Sequence, residues 1–181
     1  MSWPDRFRSP CSRCPEMSAL SSVHVLLVDD NPNMRAIVAA MLKSVGVGRL
    51  SEAEDGVVAL ELLRRAAIDI AIVDFRMKPM DGAAFTRAVR SEGDSANPYL
   101  PVIMMTGHSE KSRVTEARDA GVTEFVAKPV KAQTLLTRIE AVILRPRPFV
   151  RSPSYFGPDR RRTGTKDYAG PFRRADDGVL D

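Results

Sequence analysis

The sequence predicts an α/β protein, a doubly wound five-stranded parallel sheet in the order 2-1-3-4-5 flanked by five helices. Three observations carry that expectation. Short apolar, β-branched runs alternate with stretches whose apolar residues recur at helical spacing, a pattern that implies parallel pairing through right-handed crossovers. The central run, Ile70-Ala71-Ile72-Val73, is apolar without interruption, as expected of a strand covered on both faces. Several runs stop abruptly at an acid, a hydroxyl or an ammonium. In an open parallel sheet the carboxyl ends of the strands share one edge, and ligands bind in the crevice there.

Val23 to Val28, His24 excepted, reads as the first strand and stops at Asp29-Asp30. Asn31-Pro32 opens a helix, a capping side chain followed by proline in the first turn. Met34, Ile37, Val38, Met41, Leu42 and Val45 form its apolar stripe, and Gly46 ends it. Ser51 to Glu54 reads as an edge strand. Asp55-Gly56 starts a helix with Val57, Leu60 and Leu63 on its stripe, fading near Ala67. The central strand then delivers Asp74. Gly82 to Glu92, with Phe85 and Val89, is a third helix, and Gly93 to Pro98 is a turn-rich loop. Pro101 to Thr106 is a strand ending in a hydroxyl, followed by a polar helix from Ser109 to Ala120 that Gly121 closes. Glu124 to Ala127 is a short strand running into Lys128-Pro129, and Leu135, Leu136, Ile139, Val142 and Ile143 mark the last helix.

At 181 residues the chain has room for one domain with a full core plus tails. From Arg145 onward nine Lys/Arg stand against five Asp/Glu, which accounts for the whole net charge of +4. The basic balance therefore describes a tail and not the fold. No apolar run reaches membrane-spanning length and the N-terminus lacks the apolar core of a secretory signal, so a cytoplasmic protein is expected. Residues 1–22 read as a flexible leader. Cys11 and Cys14 form a CxxC there without a second pair to complete a zinc site, and read as incidental. Met17 is an alternative start, since the folded pattern begins after it.

In the order 2-1-3-4-5, Asp29, Asp30, Asp74, Thr106 and Lys128 converge on one edge. Three neighbouring acids repel and raise one another's pKa unless a cation compensates them. Oxygen-only ligands of this number suit Mg²⁺, which accepts a phosphate oxygen as a further ligand. Thr106 and Lys128 are of the right type to hold the remaining phosphoryl oxygens. The set is suited to moving a phosphoryl group onto an acid.

Four segments, Val28-Asp29-Asp30, Asp74-Phe-Arg-Met-Lys-Pro-Met-Asp81-Gly82, Met104-Met-Thr106-Gly and Phe125-Val-Ala-Lys128-Pro129, resemble the receiver domain of bacterial two-component response regulators. The resemblance covers roughly residues 23 to 144, within an expected domain of 23–145, and is of the stand-alone, chemotaxis-regulator kind. It implies a flavodoxin-like fold, with Asp74 as phosphoacceptor. It implies that Asp30 binds Mg²⁺ together with Asp74 and the backbone carbonyl of Arg76, and that Asp29 acts through metal-bound water. Thr106 and Lys128 would take the phosphoryl oxygens, and Lys128-Pro129 would be a cis peptide. Met77-Lys78-Pro79 departs from the family's more common order, in which proline follows methionine directly. Phe125 stands at the family's aromatic switch position, where tyrosine is common. It fills core, or it enters space left when Thr106 moves toward the phosphoryl group; both readings stay open. By the same resemblance Arg76 and His108 would border the path of a hydrolytic water, His108 being the weaker case, which also reads as a solvated loop histidine.

After Leu144 the chain turns rich in Pro, Gly, Arg and Asp without period, and residues 146–181 are expected to be a disordered basic tail. Within it Tyr155-Phe-Gly157-Pro158-Asp-Arg160-Arg161 recurs thirteen residues later as Tyr168-Ala-Gly170-Pro171-Phe-Arg173-Arg174. This doubled Y-x-G-P-x-R-R reads as two linear docking motifs against a solubilising tail. Some 36 aperiodic residues make no DNA-binding output domain. The resulting expectation is a signalling phosphoacceptor and not an enzyme, phosphorylated by a sensor histidine kinase or phosphotransfer protein, acting on an effector protein, with no membrane association. Two rivals remain. An Asp-nucleophile phosphatase of the dehalogenase type wants a second Asp where Arg76 stands, and a nucleic-acid-binding protein using the basic tail would bind in a strongly salt-dependent way.

Overall fold

The computed structural model describes residues 20–91, 95–107, 114–152 and 155–160. Five parallel strands, β1 (His24–Val28), β2 (Arg49–Ala53), β3 (Ile70–Asp74), β4 (Val102–Thr106) and β5 (Glu124–Ala127), form one sheet. Their order is β2-β1-β3-β4-β5, as the sequence predicts. Between them run α1 (Pro32–Ser44), α2 (Gly56–Arg65), α3 (Gly82–Arg90) and α4 (Val114–Asp119), and α5 (Ala132–Leu144) follows β5. Ser109 to Arg113, expected to open the fourth helix, lie outside the described residues, as do Cys11, Cys14, Met17, His108 and, in the tail repeat, Arg161 and the whole second copy from Tyr168 to Arg174.

Side chains alternate across the pleat, so each strand feeds two cores. Leu26, Val28, Ala71, Val73, Val102 and Met104 point to one face, where Ala59, Leu63, Phe85, Val89 and Ala117 of α2, α3 and α4 cover them. Val25, Leu27, Ile70, Ile72, Ile103 and Met105 point to the other, beneath Val38, Leu42, Leu135, Ile139 and Val142 of α1 and α5. Every residue of β3 and β4 is buried, which is why these two strands read as uninterrupted apolar runs. Among the described residues no helix is long and apolar enough to cross a membrane.

Local signals behave as the sequence implies. The Asn31 side chain accepts from the amides of Asn33 and Met34, and Pro32 takes the first turn of α1. Gly46 and Gly121 end their helices at positive φ, 92° and 93°. Lys128-Pro129 is cis, and so is Lys78-Pro79. Several expectations need correction. Ile37 and Val57, assigned to apolar stripes, are 51% and 43% exposed, because a helix over a sheet buries a narrower arc than its apolar residues span. Strand β2 begins at Arg49, not Ser51, since an edge strand is set by backbone pairing with His24 and Val25 and not by apolar content. The expected leader of residues 1–22 overlaps the fold at Leu20. That side chain is buried in the α1/α5-side core, and its carbonyl accepts from the amides of Val23 and Gly48.

The largest correction concerns the tail. The expectation of disorder after Leu144 does not hold for the hairpin β6 (Phe149–Ser152) and β7 (Tyr155–Pro158), an antiparallel pair in which Phe149 faces Pro158. Its anchor is Arg90, a buried cation in the last turn of α3. Arg90 donates through Nη1 to the carbonyls of Pro98 and Leu100 at 2.7 and 2.8 Å. Through Nε and Nη2 it donates to the carbonyl of Gly121 at 3.1 and 2.9 Å. It thereby ties the segments entering β4 and β5. Phe149 lies against the same guanidinium, 5.0 Å from ring centre to Cζ, and stacks edge-on with Tyr99 at 5.1 Å. Tyr99 also meets Phe156 at 5.3 Å. At the start of β5, Glu124 pairs with Arg138 and with Arg147 of the connecting segment. The hairpin coheres because these rings and cations come from distant parts of the chain.

Burial lowers the Arg90 pKa to about 10, against an opposing pull from Tyr155. Replacing this side chain removes four hydrogen bonds donated to the carbonyls of Pro98, Leu100 and Gly121. Arg90→Ala is expected to lower unfolding free energy by about 3 kcal/mol, measured by urea denaturation. A loss below about 1 kcal/mol would show that water replaces the guanidinium there.

Candidate functional site

Register decides which strand ends meet. Val28 stands opposite Val73, Asp74 opposite Met105, and Thr106 opposite Ala127. One residue beyond β1, Asp29 is therefore level with Asp74, and Lys128 follows β5 beside them. The three carboxylates of Asp29, Asp30 and Asp74 each bring an oxygen within 4.8 Å of the others. Asp29 is fully buried and Asp74 nearly so, while Asp30 is exposed to solvent.

One cation bridges the buried pair. Lys128 Nζ lies 3.0 Å from Asp74 Oδ1 and 3.2 Å from Asp29 Oδ2. The lysine is positioned through its own backbone, whose amide donates to the Thr106 carbonyl at 2.7 Å. Burial pushes the Asp74 carboxyl up and Asp29 adds to this, against a downward pull from Lys128 and the Phe75 amide. Burial works against the Lys128 ammonium, but its hydrogen bonds to Asp74 and Asp29 and their charges outweigh it and raise its pKa. A buried acid held above its ordinary range beside a charged lysine marks a functional edge rather than a stabilising ion pair.

The rest of the site shapes the loops that carry these groups. Asp29 Oδ1 accepts from the Asn31 amide at 2.9 Å, and the Asp29 carbonyl accepts from Arg35 Nη1 at 2.7 Å. Arg35 also pairs with Glu52 at 3.4 Å. The sequence reading passed over Arg35, although a cation in the first turns of the helix after an acid pair is a usable signal. Asp81 caps α3 by accepting from the Ala84 amide at 2.7 Å, and the Gly82 amide returns to the Phe75 carbonyl at 3.1 Å. A Cβ on Gly82 would sit 2.4 Å from the Asp74 carbonyl oxygen, so glycine is required where the loop closes back on the acid-bearing strand. Thr106 is buried at the end of β4. Phe125, half-buried, packs against the α2–α4 side of the core, opposite Met104 in the ladder. Alternation along β4 puts Thr106 on the same face as Met104 and hence as Phe125. Arg76 is exposed on the loop after β3.

A model of the response regulator receiver domain matches residues 25–140. The chain belongs to this family. As a receiver it is a component of phosphorelay signalling. It is 37% identical over 121 residues to the chemotaxis protein CheY of Pseudomonas aeruginosa, covering 67% of this chain and 96% of that protein. It is 32% identical over 124 residues to CheY-3 of Vibrio cholerae, covering 68% and 94%. Among solved structures it is similar to Vibrio cholerae CheY4, with a TM-score of 0.61 and 31% identity over 66% of this chain and 98% of that one. Another is the receiver domain of a Pseudomonas aeruginosa sensor histidine kinase, solved with magnesium coordinated in its active-site cleft. Its TM-score is 0.59, with 29% identity over 65% of this chain and 94% of that one.

Among the described residues the donor set is three clustered carboxylates, which suit a hard divalent cation, so the residues present fit Mg²⁺. Burial disfavours the ionised Asp74 carboxyl in the folded chain. With its pKa raised, Asp74 holds more proton in the folded than in the unfolded chain between the two pKa values. Stability therefore falls as pH rises through that window. In Mg²⁺-free buffer Asp74→Asn is expected to be more stable than the native chain at pH 7 by about 0.5–2 kcal/mol, with the difference shrinking as acid protonates Asp74. Urea midpoints across pH check this, and an equal or lower midpoint at pH 7 contradicts it.

Proposed function

We propose that Asp74 accepts a phosphoryl group in a Mg²⁺-dependent reaction from a histidine kinase or phosphotransfer protein, and that the phosphorylated receiver acts in the cytoplasm by binding an effector protein. The observation that carries this is the shared ammonium of Lys128, 3.0 Å from Asp74 and 3.2 Å from Asp29 at the edge where three carboxylates meet.

A carboxylate oxygen of Asp74 attacks the phosphorus of a phosphohistidine. The new P–O bond forms as the P–N bond breaks, and the imidazole leaves with the electron pair. Asp30, Asp74 and the backbone carbonyl of Arg76, with Asp29 beside them, would hold Mg²⁺, which would supply positive charge for the phosphoryl oxygens. Asp29 keeps that acidic surrounding without being the acceptor. Its side chain is already engaged by Lys128 and the Asn31 amide. Once Asp74 is an acyl phosphate it no longer carries a full carboxylate charge, and the Lys128 ammonium is free to pair with a phosphoryl oxygen. The Thr106 hydroxyl donates to another. Because Thr106 and Phe125 share one face of the sheet, a shift of the threonine toward the phosphoryl group opens space for the ring, and packing alone transmits the change. The product stays attached to the chain, so the role is that of a phosphoacceptor and not of a turnover enzyme.

Acetyl phosphate with Mg²⁺ is expected to label Asp74, giving a base-labile adduct detectable by mass spectrometry. Asp74→Asn or chelation of Mg²⁺ should abolish labelling. Lys128→Ala should still label but fail to shift the Phe125 ring resonances. Undiminished labelling of Asp74→Asn would refute the assignment.

The lifetime of the adduct depends on what borders the acceptor. Arg76, two residues after it, carries a planar cation long enough to lie over the phosphoryl group and occupy the approach of water. Arg76→Ala is expected to shorten the phosphorylated half-life severalfold without preventing Mg²⁺-dependent labelling. Decay of the labelled protein after donor removal measures it, and an unchanged or longer half-life would show that Arg76 does not guard the bond.

A further inference from the structure

The first copy of Y-x-G-P-x-R-R is not a free tail motif, because its own residues hold it on the domain. Tyr155 Oη donates to the Pro158 carbonyl at 2.9 Å, and Arg160 lies over the Tyr155 ring at 3.9 Å. Arg160 Nη1 also reaches Asp119 Oδ1, at the end of α4, at 3.0 Å. Gly157 backs onto Gly121. A Cβ at Gly157 would lie 2.9 Å from Gly121 Cα and 2.6 Å from Tyr155 Oη, so only glycine allows the strand to seat. The residues that make these contacts are tyrosine, glycine, proline and the first arginine.

Those four recur, in the same spacing, as Tyr168, Gly170, Pro171 and Arg173. The intervening positions do not. Phe156 becomes Ala169 and Asp159 becomes Phe172. The second copy thus keeps the turn-forming and Asp119-pairing chemistry but lacks the ring that Phe156 presents to Tyr99 and Phe149. A solubilising basic tail would need no glycine at the third position and no proline at the fourth.

We propose that Tyr168–Arg174 is a second ligand for the seat formed by Asp119 and Gly121, taken up within the same chain when the first copy leaves. One seat then serves two ligands of unequal strength, the first favoured by Phe156 and by pairing with β6. Reach is sufficient. Twenty-three residues separate Leu144 from Tyr168, and the entropy of closing a loop grows only with the logarithm of its length. Tethering keeps the effective concentration of the second copy high. Arg173 supplies the positive charge that Asp119 pairs with in the first copy. The seat at Asp119 and Gly121 therefore stays covered when the first copy is drawn away.

The test uses the full chain and amide hydrogen exchange at Gly121 and Val122, with β1 amides as a control for global folding. Gly157→Val with Arg160→Glu expels the first copy, Gly170→Val with Arg173→Glu disables the second, and a four-site variant does both. Expelling the first copy alone should leave exchange at Gly121 and Val122 about tenfold slower than in the four-site variant. Disabling the second alone should change nothing. If expelling the first copy gives the same exchange as the four-site variant, the second copy is no ligand for this seat. Protection that rises with protein concentration would place the ligand on a second chain and overturn the intramolecular proposal. Should the β1 amides lose protection, Phe156→Ala, which weakens the first copy without a steric clash, replaces the expelling pair and is judged by the same two outcomes.

Discussion

Two carboxylates placed side by side in a water-poor sheet edge are tolerable only with a cation between them. Lys128 is that cation, and its demand organises the site. Asp29 and Asp74 are brought level by the pairing of β1 with β3, and Lys128 reaches them only because β5 lies one strand beyond β4 and its chain continues past Thr106. Burial raises the Asp74 carboxyl, and the same burial strengthens its attraction to the ammonium. The arrangement does not maximise stability. It holds an acid and a base poised, so that adding charge at Asp74 redistributes the contacts of Lys128.

The opposite end of the sheet depends on a second buried cation used in another way. Among the described residues Arg90 meets no carboxylate; it gathers the carbonyls of Pro98, Leu100 and Gly121, where the chain enters β4 and β5. A guanidinium suits that task because its donors point along a fixed fork. Its flat face then serves as a platform for Phe149, and the hairpin β6–β7 seats on this ground. The acid cluster at one edge and the seat of the hairpin at the other thus share β4 and β5.

The central sheet, its order and its acid-bearing edge were legible in the sequence. Local chemistry fixes them there: uninterrupted apolar runs mark strands buried on both faces, Asn31-Pro32 and Asp55-Gly56 mark helix starts, and the polar residues ending the runs fall on one edge by topology alone. The hairpin was not legible. Its strands are four residues each, contain Gly157 and Pro158, and show no alternation, since Tyr99, Arg90 and Gly121 stabilise them from positions far away in the chain. The repeat could be seen as a repeat, yet that its first copy faces inward depends on the pairing of Arg160 with Asp119 and the contact of Gly157 with Gly121. Residue type and period along the chain determine what is periodic and what is nearest in sequence; contacts between distant segments, and the cations that join them, are decided only when the chain is folded.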